Sequence, residues 1–239
     1  DDTLREFDAA LNTRPDAAVF THVSNVFGYI LPVAEMAGMC RARGIPFVVD
    51  AAQSAGCLPV SLEALGADFI AMPGQKGLLG PQGTGLLLCG REPEPLLTGG
   101  TGSESVRQEM PEFTPDRAEA GTLNVPGIAG LRAGMEYVEQ VGTDRILSRE
   151  SQCARRCAEE LEKLGMQVFY GAHQAGTVSF RPGMDCEAAA QILSRRGIAV
   201  RAGLHCAPLA HERAGTLETG AVRVSFGHDA SPRQLRMLA

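Results

Sequence analysis

With 239 residues, 44% of them hydrophobic and 21% charged, the chain is long and apolar enough for one large globular domain, or for one with a smaller companion. Its 22 basic and 28 acidic side chains leave a formal charge of −6, which excludes the basic footprint of a nucleic-acid binder. No apolar run is long enough for a bilayer span, no secretory signal is present, and seven cysteines in no zinc-ligand spacing read as reduced, cytoplasmic thiols.

The first half alternates helical and strand patterns. TLREFDAAL (3–11) has helical spacing and AAVFTHV (17–23) is a short apolar strand. AEMAGMCRARG (34–44) reads as a helix stopped by Gly44, and IPFVVD (45–50) as a strand with its acid at the carboxyl end. SLEALG (61–66), ADFIAM (67–72) and GTGLLLC (83–89) continue the series. Near-continuous apolar strands in such an α/β pattern imply a mostly parallel sheet covered on both faces. A connector rich in Gly, Pro, Ser and Thr spans roughly residues 91–124. Helices are expected over 125–142 and 145–165, followed by MQVFYG, GTVSFRP, a helix at 186–196, and the strands IAVRAG and AVRVSFG. That mixture predicts a smaller α+β domain beginning near residue 143. The chain opens on a helix without a preceding strand and stops inside an apparent helix, SPRQLRMLA (231–239), so it is expected to be a piece of a longer protein.

Only two lysines occur, Lys76 and Lys163. Lys163 lies in a charged helical run, whereas Lys76 sits between glycines in AMPGQKGLLGPQGTG (71–85), near the end of an apolar strand. A lysine held apart from other cations suits an amine that must act unprotonated on a carbonyl. Taken alone, the loop fits a helix cap or a phosphate-binding lysine equally well. It is not a Walker A loop, because Gly77 follows Lys76. Asp50 ends a buried strand and Gln53 follows three residues later, at the edge where doubly wound sheets bind ligands. The carboxylate could pair with a protonated ring nitrogen and the amide with a ring oxygen, as pyridoxal phosphate (PLP) requires. Asp50 could also simply cap a short helix.

HVSNVFG (22–28), VDAAQSAG (49–56), GQKGLLGPQGTG (74–85), EAGTLNVPGIAG (119–130) and RAGLHCAPLAH (201–211) occur in the order and spacing of the class V aminotransferase fold. More narrowly, the chain resembles the cysteine desulfurase / selenocysteine lyase family along essentially its whole length. The resemblance implies a fold type I PLP-dependent transferase acting as a homodimer, with a mostly parallel sheet, flanking helices and a smaller C-terminal α+β domain. Residues 1–142 would then be the C-terminal part of the large PLP-binding domain with its connector and linking helix, and 143–239 the small domain. By resemblance, Lys76 is the Schiff-base lysine, Asp50 pairs with the pyridine nitrogen and Gln53 with the ring hydroxyl. Asn25 contacts the substrate carboxylate or nearby ring substituents. Arg223 grips the substrate carboxylate, a task suited to a bidentate guanidinium; without the family it would equally be a strand residue with its head in solvent. Thr122 reaches the phosphate of the neighbouring subunit's cofactor. The family usually has histidine where Gln75 stands and often serine where Pro73 stands. Gln75 can still donate to phosphate but cannot shuttle protons, and Pro73 offers no donor.

Among the seven thiols, Cys206 alone sits amid polar functional groups: Arg201, His205 and His211. A persulfide-forming cysteine must be accessible and act as a thiolate, a form favoured by nearby Arg or protonated His. In isolation it reads as a packed cysteine at a helix start. R-A-G-x-H-C-A resembles the short-loop desulfurases, with Leu204 where a further histidine is common. The implied reaction converts L-cysteine to L-alanine with a persulfide on Cys206, passed on to a sulfur-acceptor protein. Selenocysteine lyase acting on L-selenocysteine, a transaminase or C–S lyase without persulfide chemistry, and an inactive fragment remain alternatives.

Overall fold

The computed structural model describes residues 2–230; the apparent helix at 231–239 lies outside the described residues. Packing divides the chain into two units. The first takes Asp1–Phe20, Pro32–Ala55 and Val60–Val138, and the second Thr21–Leu31, Gly56–Pro59 and Glu139–Ala239. The architecture is the expected α/β fold, with a mostly parallel sheet in the first unit and an antiparallel sheet in the second. No described helix is long and apolar enough to cross a membrane.

In the first unit, α1 (Asp2–Leu11) buries Phe7 and Leu11, one helical turn apart. Helix α2 (Val33–Arg41) buries Val33, Met36, Ala37 and Cys40, an i, i+3, i+4, i+7 stripe. Burying a side chain such as Val33 or Met36 stabilises by about 1.5–3 kcal/mol. The regular helix stops at Arg41, and the turn to Gly44 (φ +68°) lets Ile45 N–H reach back to Cys40 O. Ser61 caps α3 (Leu62–Leu65), accepting from Ala64 N–H, and Gly66 ends it in the left-handed region. The sheet runs in the order β1 (Ala18–Thr21), β2 (Phe47–Asp50), β3 (Phe69–Pro73), β4 (Gly85–Cys89). Strands β2 and β3 pair in parallel, with Asp50 opposite Ala71. Strand β4 departs from the expected burial on both faces: it is an antiparallel edge, and Leu87 is 51% exposed. The core gathers Phe47, Val49, Ile70, Met72 and Leu78 beneath α1 and α2.

Helix α4 (Val125–Val141) turns a stripe of glycines toward the loop that carries Lys76. A Cβ on Gly127 would lie 2.9 Å from Thr84 Cγ2, one on Gly130 2.7 Å from Pro81 Cγ, and one on Gly134 2.4 Å from Leu78 O. Leu131, between them, lies 3.1 Å from the corresponding point on Gly74. Helix and loop backbone therefore approach as closely as they do only because side chains are missing.

The second unit orders its sheet β5 (Gln167–Phe169), β6 (Thr177–Arg181), β8 (Ala221–Ser225), β7 (Arg201–Gly203), all pairs antiparallel. Helix α5 (Thr143–Lys163) contributes Ala154, Cys157, Ala158 and Leu161 to its core, and α6 (Cys186–Arg195) contributes Cys186 and Ala189. A short α7 (Pro208–Arg213) follows the Cys206 loop. Glu150 of α5 packs on Gly176, where a Cβ would meet its Cβ at 2.7 Å and its Oε2 at 2.8 Å. Burial pushes the Glu150 carboxyl up to about 7, helped by Asp229 and opposed by a hydrogen bond from His228 N–H.

Two stability outcomes follow from this packing. Gly134→Ala is expected to cost about 1–3 kcal/mol through overpacking against the 78–79 backbone. Gly38→Ala, in α2 with nothing near its Cβ, should instead stabilise by about 0.5–1 kcal/mol; urea unfolding of both variants checks the contrast. Because the native state raises the Glu150 value from 4.5 to about 7, it binds more protons than the unfolded chain between those limits. Stability should therefore fall as pH rises through that window, and Glu150→Gln should flatten that part of a Tm-against-pH curve.

Candidate active site

The residues singled out in the sequence fall into two groups, one in each unit. In the first unit, Asp50 is the last residue of β2, is exposed, and accepts from Ala52 N–H through Oδ1 at 2.8 Å. That bond fixes the carboxylate over the turn on which Gln53 lies, half-buried. Strand β3 is parallel to β2 and ends at Pro73, so Gln75 and Lys76 emerge at the same carboxyl edge as Asp50. The loop is closed by its backbone: Gly74 N–H donates to Thr84 O at 2.8 Å, Gly80 N–H to Gly74 O at 2.8 Å, and Leu79 N–H to Lys76 O at 2.9 Å. Leu79 takes a positive φ of 57°. Its neighbour Leu78 is the side chain driven into the core, while Gln75 and Lys76 are exposed. Gly74 is buried and the turn sends Lys76 outward, so this amine is solvated rather than withdrawn from water. Thr122 is also exposed, just after Gly121 (φ +86°) in the connector.

In the second unit, four of the singled-out residues share a network. Arg223 Nη1 donates to Asn25 O at 2.8 Å, and Asn25 Nδ2 donates to His205 O at 2.7 Å. Arg201 lies opposite Arg223 in the β7–β8 register. The Arg223 Nε is buried and has no hydrogen-bond partner among the described residues. Burial and then Arg201 disfavour its charge, and among the described residues no carboxylate pairs with it. An incoming carboxylate would supply the missing negative charge.

His205 and Cys206 both adopt left-handed backbone, φ 54° and 58°, which sends consecutive side chains to different fates. The imidazole of His205 is buried and the thiol of Cys206 exposed. His205 Nδ1 lies 2.8 Å from Gly203 O, and a carbonyl only accepts, so Nδ1 carries the proton and Nε2 is bare. Burial first, then Arg223, His211 and Arg201, push this histidine down to about 4. His205 is therefore neutral at neutral pH and supplies no positive charge beside Cys206. His211, given no role by the sequence, is fully buried: its Nδ1 lies 2.8 Å from Thr216 Oγ1, which itself donates to His211 O. Its ring lies 5.9 Å from that of His205. The sequence signal for it was RAGLHCAPLAH itself, with two histidines six residues apart. None of the seven cysteines is joined in a disulfide, and the described residues hold no cluster of three or more His, Cys, Asp or Glu able to bind a metal.

Fold and side-chain clusters together define an α/β protein of the fold type I transferase class. The chain belongs to the aminotransferase class V family, whose pattern matches residues 2–238. It is 40% identical to a probable cysteine desulfurase of Pyrococcus abyssi over 86% of this chain and 53% of that one. It is 35% identical to a cysteine desulfurase of Synechococcus elongatus over 99% of this chain and 39% of that one. The solved cysteine desulfurase of Thermococcus onnurineus NA1 superimposes with a TM-score of 0.87 at 35% identity, covering 98% of this chain and 60% of that one. The chain spans about half the length of the curated relatives it matches.

Nuclear magnetic resonance checks the state of His205 directly. Its Nδ1–H tautomer should persist from pH 8 down to about 5, and an imidazolium signal at pH 6 would contradict the geometry. Since the folded value lies below the ordinary 6.5, the native state binds fewer protons there, and this group's contribution to stability is lost as pH falls from 6.5 toward about 4.

Proposed function

We propose that this chain serves a PLP-dependent cysteine desulfurase, taking sulfur from L-cysteine to leave L-alanine and a persulfide on Cys206. The observation that carries the reading is Arg223: a half-buried guanidinium whose Nη1 bonds the Asn25 backbone, leaving the rest of its fork for a substrate carboxylate. The family uses PLP, and the donor set of the first unit fits it. An exposed amine, an exposed strand-tip carboxylate and two amides are what a phosphorylated pyridine aldehyde needs for covalent attachment, ring protonation and phosphate contact.

Bound there, PLP supplies the electron sink that lets the substrate α-carbon lose its proton. Lys76 would hold the cofactor and, once released, take that proton on Nζ. Asp50 would keep a proton on the ring nitrogen, and Gln53 would donate to the ring hydroxyl oxygen. Gln75 would donate to the phosphate through its amide, without the proton transfer a histidine offers. Arg223 and Asn25 would fix the substrate carboxylate, with Arg201 beside Arg223 and neutral His205 joined to Asn25. Cys206 Sγ then attacks the substrate sulfur: a sulfur–sulfur bond forms, the carbon–sulfur bond breaks, and its electron pair stays with the three-carbon product, which is protonated to alanine. An exposed thiol on a left-handed bend can reach out to make that attack and afterwards hand the sulfur to an acceptor protein. A homodimer in which Thr122 serves the neighbouring subunit's cofactor completes the reading. Leu96, Leu97 and Val106, exposed in the connector, offer apolar surface for such pairing.

Radiolabelled sulfur from L-cysteine should lodge on the protein in equimolar amount with alanine formed in the first turnover. Cys206→Ser should keep PLP binding while losing the label and slowing alanine formation by about 100-fold or more. Lys76→Ala should lose both cofactor absorbance and turnover. Alanine produced with no label on the protein would overturn the persulfide step, and faster turnover of L-selenocysteine would reassign the substrate.

A further inference from the structure

The loop of residues 24–28 carries Asn25, yet belongs to no helix or strand. Four successive carbonyls in it nevertheless have donors. Asn25 O accepts from Arg223 Nη1 at 2.8 Å, Val26 O from Ser179 Oγ, Phe27 O from Gln174 Nε2 at 2.7 Å, and Gly28 O from Ala175 N–H at 2.8 Å. Three of the four donors are side chains or backbone from residues 174–179, and the fourth is the arginine itself.

The spacing has a geometric origin. Phe169, Ser179, Arg223 and Arg201 are successive register partners across β5, β6, β8 and β7. Directly opposed residues in antiparallel strands point to the same face. One row of the sheet thus meets the loop along its length: Phe169 packs tilted against Phe27 with ring centroids 4.9 Å apart, Ser179 takes Val26 O, and Arg223 takes Asn25 O. Gln174 closes the far end. Its amide donates to Phe27 O and Thr177 O, and its Oε1 accepts from Gly171 N–H at 2.9 Å. Gln174 and Ser179 are both buried, to 6% and 0% exposure. Gly28 completes the seat: at φ +71° a Cβ there would lie 2.4 Å from Thr177 O and 2.5 Å from Gln174 Nε2.

We infer that Ser179 and Gln174 are positioning residues for substrate binding: they seat the 24–28 loop so that Asn25 and Arg223 are held in one fixed relation to each other. Neither residue touches the substrate carboxylate in this scheme. Each acts by supplying a carbonyl of the loop with its donor, so that Arg223 spends one nitrogen on the loop and keeps the rest of its fork for the ligand. Ser179 is the sharper case, because it stands beside Arg223 in the register and bonds the next carbonyl along. The inference rests on the desulfurase reading for the identity of the ligand, but the seat itself does not.

Ser179→Ala and Gln174→Glu test it, with Ser151→Ala as control, since that hydroxyl bonds only its own helix. Amide hydrogen exchange reads the seat: Gly28 N–H, bonded to Ser24 O, and Ser24 N–H, bonded to Tyr29 O, should exchange about 10-fold faster in Ser179→Ala, while Val178 and Val224 keep their protection. In steady-state assays KM for L-cysteine should rise about 10-fold with a smaller fall in kcat, and Ser151→Ala should match wild type in both. Gln174→Glu should regain affinity as pH is lowered, because a protonated carboxyl again donates to one carbonyl. Unchanged Gly28 exchange in Ser179→Ala, or a loosened loop with KM unmoved, overturns the inference. A wild-type protein that is inert to L-cysteine overturns the functional reading alone, because amide exchange at the seat needs no turnover to be measured.

Discussion

A single guanidinium organises the second unit. Arg223 comes from a central strand and reaches the backbone of Asn25, a contact 198 residues away in sequence. A cation partly withdrawn from water is costly unless its donors are used, and this one is only partly satisfied. Around it the sheet is ordinary hydrophobic construction: Val178, Val222 and Val224 fill the core on one side of each strand. The unusual burial is polar and lies on the other side, in Ser179, Gln174, His205 and His211. Such a polar layer does little for net stability, since it exchanges water partners for protein ones. Its effect is geometric, keeping an arginine, an asparagine and a histidine in a fixed mutual arrangement before any ligand arrives.

The first unit reaches the same end by a different route. Its loop carries few side-chain hydrogen bonds and is shaped by close backbone approach. Thr84, Gly74 and Gly80 tie the loop to itself, and the glycines of α4 let a whole helix lie against it. Leu78 drives the turn into the core, and that is what leaves Lys76 facing outward. A strand tip held by Ala52 N–H and a loop held by glycines give the parallel edge its chemistry without a buried charge.

Much of this was legible in the residues. Apolar periodicity located α1, α2, α4, α5 and the strands, because one-sided burial imposes a period that survives in the letters. Asp50 at a strand end and Lys76 in a glycine loop were readable for the same reason: local backbone needs restrict which residues can stand there. What escaped was non-local. Nothing in HVSNVFG announces that its carbonyls are bonded by residues some 150 to 200 positions later. Glycines 127, 130 and 134 only weaken a helix when taken locally, and their use appears with the loop that lies against them. The protonation of His205 likewise depends first on its burial and then on Arg223, His211 and Arg201, the first of which comes from a later strand.

Two adjacent left-handed residues, His205 and Cys206, have one more implication. L-residues enter that region at a cost of about 1–3 kcal/mol each, which the surrounding unit must offset. The bend works like a hinge pin set sideways: a base is drawn into the dark interior and, one peptide later, a sulfur is displayed to the outside. The exhibit needs no travelling arm, for the reversal of the chain already puts the sulfur in the open while its neighbour anchors the spot from within.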